Sequence, residues 1–358
     1  MALSDRDTPP VRILIVGTGS MANAHAKAYR AHPHAQIVAA VDLDKDKVAD
    51  FCKQHDIPHK FDDLAKAIAW DGFDAASNVT PDGAHFATTK MLIAAGKDIL
   101  CEKPLATSQT DAHDLATLAD AAGIVHMVNL SYRNVPVVQK AAQVVQSGAL
   151  GACRHFEASY LQSWLTQPAW GDWKTSPVWL WRLSTAHGSK GVLGDVGIHI
   201  LDFVSYIAGS LAADVSCQLR TFDKAVDNRI GDYVLDANDS CAMTLTLQNG
   251  ALGVVSATRF ASGHHNDLKL RLYGDKGGLE VSFQNGKGVL QTCTGDDLQS
   301  QTWTQIDCDT GFDLFDRFVT SVQTHTQCTP SFTTGAQLQS VLDAAESSSI
   351  NGGMRQTV

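Results

Sequence analysis

ILIVGTGSMANAHAKAYR, residues 13–30, is the stretch on which the fold turns. A short apolar run leads into a glycine-rich turn and then into a segment of helical composition, so a buried strand feeds a helix. The turn carries G-x-G-x-x-A as Gly17, Gly19 and Ala22. Gly17 permits the tight turn, Gly19 lets the backbone approach a pyrophosphate, and Ala22 allows close packing of helix and strand. Ser20 and Met21 open the helix, whose N-terminal N–H groups and positive potential suit phosphates. The next strand, QIVAAVD, ends on Asp42. A carboxylate there accepts hydrogen bonds from ribose hydroxyls and repels a 2′-phosphate, which favours NAD over NADP. Lys45 and Lys47 follow closely and soften that preference.

Outward from this unit the alternation continues. KDKVADFCKQH reads as a helix, AASNVT as a strand, HFATTKMLIAAG as a helix, DILCEKP as a strand, SQTDAHDLATLADAAG as a helix and VHMVNLSY as a strand. Strands alternating with helices of this length predict a doubly wound parallel sheet, an α/β domain over residues 1–130. Near residue 150 the period changes. RHFEASYL, DVSCQLRTF, SCAMTLTLQ, GALGVVSATRF, LKLRLYG, GGLEVSF and GVLQTC have strand period with turn-like separators and no helices between most of them. That pattern predicts an α+β domain on a mostly antiparallel sheet, residues 131–330. A C-terminal helix and tail, 331–358, are expected to pack back on the body.

Composition bounds the function. The chain has 358 residues with 44% hydrophobic and 18% charged residues, which predicts two folded domains rather than one. A formal charge of −10 argues against nucleic acid or an anionic membrane as partner. The segment MALSDRDTPP lacks an apolar core and cleavage pattern, and no later run reaches membrane-spanning length. Eight cysteines without a C-x-x-C pair are expected to be reduced, in a cytoplasmic protein.

GVLGDVGIHILDFVSYIAG, residues 191–209, reads as a buried helix, apolar on both flanks. Asp195, His199, Asp202 and Tyr206 fall at i, i+4, i+7 and i+11. On an α-helix they share a stripe about 60° wide. Two acids and a histidine on one line of a buried helix suggest chemistry. The strand DILCEKP delivers Glu102, Lys103 and Pro104 to the carboxyl edge of the first sheet, where ligands bind in open α/β folds.

GTGSMA, CEKP at 101–104, YRNVP at 132–136 and GVLGDVGIHILD, in that order, resemble the glucose–fructose oxidoreductase/inositol dehydrogenase/MocA (Gfo/Idh/MocA) family. The resemblance implies an N-terminal Rossmann domain and a C-terminal open-faced sheet that makes homodimers or homotetramers. It implies that Lys103, Asp195 and His199 are the catalytic lysine, aspartate and histidine. It places Asn78, Thr80, Pro81 and His85 in a loop beneath the cofactor, with Glu102 and Lys103 beside it. An imidazole suits a general base at neutral pH, so His199 takes that role. Lys103 then stabilises alkoxide charge, Asp195 orients substrate or imidazole, Asp202 supports from behind and Tyr206 packs. The competing reading makes Asp195 and His199 metal ligands with His187 or His264 and His265. No further ligand falls at a recognisable spacing, so no metal is expected.

Five tryptophans crowd SWLTQPAWGDWKTSPVWLWR. Indoles suit stacking on sugar C–H faces, although they also build cores and interfaces. Trp164, Trp181, Arg182, Tyr132 and Arg133 are the candidate substrate contacts beside Lys103, Asp195 and His199. The leading expectation is an NAD-dependent dehydrogenase of a sugar, anhydrosugar or cyclitol. A glycosidase using transient oxidation, and a non-catalytic cofactor-sensing regulator, are the alternatives.

Overall fold

The computed structural model describes residues 9–168, 170–308 and 311–358. Residues 1–8, read above for an export signal, lie outside the described residues. The chain forms two compact units. The first comprises residues up to Leu130 together with Phe312–Gln339, the second Ser131–Gly311 with Ser340–Val358. The 131–330 and 331–358 divisions expected from sequence therefore differ from the structure, because residues 312–339 return to the first unit.

In the first unit, β1 (Val11–Val16), β2 (Ala35–Val41), β3 (His59–Phe61), β4 (Ala75–Asn78), β5 (Asp98–Cys101) and β6 (His126–Val128) form one parallel sheet in the order β3-β2-β1-β4-β5-β6. The connecting helices are α1 (Ser20–Ala31), α2 (Lys45–His55), α3 (Leu64–Trp70), α4 (His85–Ala94) and α5 (Gln109–Ala122). The order reverses between β1 and β4, which is where a doubly wound sheet opens its ligand crevice. Side chains Asp44, Asp63 and Ser108 cap α2, α3 and α5 by accepting first-turn N–H bonds. Gly19 caps α1 with no side-chain bond, which leaves that helix end to an outside anion.

In the second unit, α6 (Pro136–Gln146) precedes β7 (Cys153–Gln162), followed by α7 (Pro177–Leu180) and α8 (Ile198–Ala208). Then come β8 (Ala212–Arg220), β9 (Arg229–Ile230), β10 (Tyr233–Val234), β11 (Ser240–Leu247), β12 (Leu252–Thr258), β13 (Asn266–Gly274), β14 (Gly277–Gln284) and β15 (Lys287–Thr294). The short α9 (Asp297–Ser300) and β16 (Thr304–Gln305) follow. In the first unit again, α10 (Leu314–Thr324) leads to α11 (Phe332–Ile350), whose residues from Ser340 onward belong to the second unit with β17 (Gln356–Thr357). The large sheet has nine strands in the order β16-β15-β14-β13-β7-β12-β11-β8-β17, while β9 and β10 pair separately. Only β7 and β12 run parallel, so the sheet is mixed and mostly antiparallel. Helices α6 and α8 cover one face.

Residues 312–339 belong to the first unit for a packing reason. Leu314, Phe315, Phe318, Val319 and Val322 make one apolar face of α10 and join a core with Ile13, Ala22 and Tyr29. No helix among the described residues is long and apolar enough to cross a membrane. All eight cysteines are free thiols.

Candidate active site

The glycine turn is built to tolerate no side chain at its start. Gly17 has φ +90°, and a Cβ there would meet the Val79 carbonyl oxygen at 2.8 Å. A Cβ at Gly19 would meet nothing within 4 Å, so open space lies directly before the uncapped end of α1. The Asp42 carboxylate is already oriented. Thr18 donates to Oδ2 from its amide and its hydroxyl, both at 2.8 Å, and the Asp44 amide donates to Oδ1 at 3.0 Å. Partial burial opposes ionisation, but these bonds and Lys47 hold its pKa below the ordinary value. A cradle that a side chain would fill, an uncapped helix end and a fixed acid fit a dinucleotide.

Around Lys103 the same unit contains a buried polar network. His25, on the buried face of α1, places Nδ1 2.7 Å from Ser77 Oγ and Nε2 2.8 Å from Glu102 Oε1. Asn129 donates to the same Glu102 oxygen at 2.7 Å, and the Lys103 amide donates to Oε2 at 3.2 Å. Burial pushes the Glu102 pKa up, but these partners and the Lys103 charge outweigh it and hold the carboxyl at about 2. Glu102, a candidate neighbour of the cofactor, is tied into this network next to Lys103.

The 78–85 segment divides in two. Asn78 and His85 are buried. Asn78 donates to Thr88 and Thr89 and accepts from the Thr80 amide and hydroxyl. His85 sits between the Thr80 and Pro104 carbonyls. These two residues shape the turn, in which Thr80 is half-buried and Pro81 and Gly83 are exposed.

In the second unit the 191–209 segment departs from a uniform α-helix. Leu193–Gly197 is a π-helical turn, so the α-helical phase that put Asp195 in line with the other polar residues fails there. The expected single stripe resolves into separate contacts. Arg259 Nη2 donates to Asp195 Oδ2 at 3.0 Å, and Arg182 Nε lies 3.8 Å from the same oxygen. His199 meets Tyr132 edge-on, with ring centroids 5.1 Å apart, and Tyr160 at 6.4 Å. Asp202 is buried against Arg133, and Tyr206 packs over that guanidinium at 4.5 Å. Between Gly191 and Val204 every residue is buried except Gly194, Asp195 and His199.

The wall behind His199 is tied together by hydrogen bonds. Tyr160 donates to Asn266 Oδ1 at 2.5 Å, Asn266 Nδ2 donates to the Tyr132 hydroxyl at 2.9 Å, and the two hydroxyls are 2.5 Å apart. With its proton on Asn266, Tyr160 must accept from Tyr132, so both phenolic protons are committed. Burial raises both phenol pKa values. Tyr132, a candidate substrate contact, is half-buried and also backs the imidazole, while Arg133 is held by Asp202. Trp164 also differs from expectation. It is 2% exposed, donates to Gln162 and packs between Arg259 and Trp179. It belongs to an aromatic core with Trp173, Leu180, Leu183 and Leu235. Trp181 is half-buried beneath Arg182, with the cation 4.6 Å from the ring. No cluster of three metal-ligating side chains occurs among the described residues.

Sequence reasoning missed His25, Asn129, Arg259 and Asn266. His25 had a signal, since it shares the buried face of α1 with Ala22, Ala26 and Tyr29. Arg259 had none, because its partner lies 64 positions away.

A Rossmann unit with a dinucleotide cradle, joined to a unit presenting an acid and an imidazole from a buried helix, defines a nicotinamide-dependent oxidoreductase. Residues 11–130 match the oxidoreductase family, NAD-binding Rossmann fold, and residues 138–280 match the GFO/IDH/MocA C-terminal domain. The chain belongs to the Gfo/Idh/MocA family of NAD-binding oxidoreductases. Similar proteins include levoglucosan dehydrogenase of Pseudarthrobacter phenanthrenivorans, 26% identical over 294 residues, 75% of this chain and 73% of that one. D-apiose dehydrogenase of Rhizobium rhizogenes is 26% identical over 274 residues, 75% and 72% of the two chains. Among solved structures, an oxidoreductase domain protein from Kribbella flavida superposes with TM-score 0.86 at 29% identity over 98% and 99% of the chains, so the likeness extends through both units.

Proposed function

We propose that the protein is an NAD-dependent dehydrogenase that oxidises a secondary hydroxyl of a sugar, anhydrosugar or cyclitol. The observation that carries this reading is the selective exposure of Asp195 and His199 from an otherwise buried helix segment. Burying polar groups is unfavourable unless they are satisfied, and apart from Gly194 the accessible positions of Gly191–Val204 carry an acid and a base. The names of the relatives, a levoglucosan and a D-apiose dehydrogenase, support a polyol substrate.

The amides of the Gly17–Ala22 turn, Asp42 and the Thr80–Pro81 loop would hold the cofactor. A bound nicotinamide would supply the acceptor for the hydride of the carbinol carbon. His199 takes the hydroxyl proton, with its ring fixed by Tyr132 and Tyr160. Asp195 orients the hydroxyl or the imidazole, and the Lys103 ammonium stabilises the developing alkoxide. Trp181 and Arg182 are the remaining candidates for contact with the sugar ring.

The test is NADH formation with levoglucosan, D-apiose and myo-inositol, in parallel with NADP. Turnover is expected with NAD, and Lys103→Met and His199→Ala are each expected to lower it at least about tenfold. Cofactor binding without turnover of any polyol would point to a regulator. Release of an aglycone from glycosides without accumulating NADH would point to the oxidative glycosidase.

We also propose a homodimer or homotetramer through the sheet face that α6 and α8 leave uncovered. Leu252 and Val254 of β12 are exposed there, flanked by Ala242 and Thr244 of β11. Light scattering should show a multimer, and Val254→Arg should shift it towards monomer. Free thiols throughout are consistent with a cytoplasmic location.

A further inference from the structure

Arg259 follows β12 and is completely buried in the second unit. Its guanidinium lies 5.0 Å over the Trp164 ring, Nη1 donates to the Arg182 carbonyl at 3.0 Å, and Nη2 donates to Asp195 Oδ2 at 3.0 Å. Among the described residues Nε is buried with no hydrogen-bond partner. Burying a guanidinium with one donor unsatisfied is unfavourable, so this placement needs a compensating partner. The ionic partner it touches is Asp195, whose side chain is 30% exposed while that of Arg259 is 0% exposed. The cation therefore lies behind the carboxylate, on the protein side, and Asp195 emerges from it. The π turn at Leu193–Gly197 is where the helix departs from α geometry to carry Asp195. The groups around this pair are Arg182 beside Asp195, Asp239 near Arg259, and the Tyr132 and Tyr160 phenols, which feel the Asp195 charge.

We propose that Arg259 is a positioning residue that acts through Asp195, holding its carboxylate ionised and fixed in orientation at the π turn. Its contact with the Arg182 carbonyl ties the same guanidinium to the Trp181–Arg182 segment, so one buried cation sets the acid and a candidate sugar-contacting loop together. This inference rests on the reading that Asp195 serves the reaction. A purely structural staple would contribute to stability without governing Asp195.

The test uses the full chain labelled with carboxyl-13C aspartate, and the Asp195 resonance is identified by its loss in Asp195→Asn. In Arg259→Met the pH at which that carboxyl titrates is expected to rise by at least about one unit. Arg259→Lys keeps the charge and loses one of two contacts, and is expected to show a smaller rise. If Arg259→Met does not fold, the lysine variant decides. An Asp195 titration unmoved in every folded Arg259 variant overturns the proposal. Turnover with levoglucosan and NAD provides the second arm. Arg259→Met should lower kcat at least about tenfold in the parent but less than about threefold in Asp195→Asn. An equal loss in both backgrounds overturns the proposal. If Asp195→Asn leaves turnover unchanged, the reading of Asp195 as a site residue fails, and the titration still decides what Arg259 does to it.

Discussion

Arg133 and Asp202 form a two-pronged ion pair inside the second unit. Arg133 Nε donates to both carboxylate oxygens, at 3.1 and 3.0 Å, and Nη2 to Oδ1 at 2.6 Å. Both side chains are almost fully buried. The pair connects the turn that opens the unit to α8, the helix that carries His199, and Tyr206 one turn further on covers the guanidinium.

Removing one partner of such a pair leaves an uncompensated charge in the core. Asp202→Ala is expected to cost about 3–5 kcal/mol, and Arg133→Met a similar amount. Replacing both, as in Arg133→Met with Asp202→Leu, should cost clearly less than the sum. Denaturant unfolding of the three variants measures this. Additive losses would show that the two residues stabilise the unit independently.

Glu102 gives a prediction in pH. Its carboxyl titrates at about 2 in the folded chain against an ordinary value of 4.5, because His25, Asn129 and Lys103 favour the anion more than burial disfavours it. A depressed folded value means that the stabilisation is complete above about pH 4.5 and is lost as pH falls toward about 2. The increment is on the order of 3 kcal/mol at neutral pH. Thermal melts between pH 7 and pH 2.5 should show Glu102→Gln less stable than the parent at neutral pH, with the gap narrowing in acid. A gap that stays constant with pH would remove Glu102 from the ionised network.

The Rossmann half was legible because its constraints are local. Gly17 must have a positive φ, Asp42 must end the second strand, and strand and helix periods differ. The fate of α10 was not legible. Leu314, Phe315, Phe318, Val319 and Val322 announce a buried face, but an apolar stripe does not say which core receives it. The Asp195–His199 segment was recognisable as a buried helix with polar positions. Its π turn was not, since no residue preference marks it and the phase error falls on Asp195 itself. Trp164 was read as a sugar platform because indole chemistry serves both a site and a core, and only burial separates the two.

Gly17 can be tested directly. A methyl group there meets the Val79 carbonyl oxygen at 2.8 Å and forces φ +90° on an L-residue. Gly17→Ala is expected to cost about 1–3 kcal/mol of stability. It should also weaken NADH binding at least about tenfold, read by fluorescence titration, because either the turn or Val79 must move. Among the described residues a Cβ at Gly19 meets nothing within 4 Å, so Gly19→Ala should leave stability nearly intact while still weakening NADH binding. Equal stability losses at the two positions would mean that the turn is strained by something other than this contact.

Asp42 should set cofactor choice through a carboxylate already fixed before the cofactor arrives. Thr18 and Asp44 supply three hydrogen bonds to it and, with Lys47, keep it ionised despite partial burial. A fixed anion repels a 2′-phosphate and accepts from ribose hydroxyls without reorganising. Asp42→Asn keeps the shape and removes the charge. The ratio of kcat/KM for NAD over NADP is therefore expected to fall at least about tenfold, mainly through KM, with kcat for NAD little changed. Rates with both cofactors at fixed polyol measure the ratio. An unchanged ratio would place the discrimination elsewhere and would show that the Asp42 carboxylate serves only to hold the Thr18 turn.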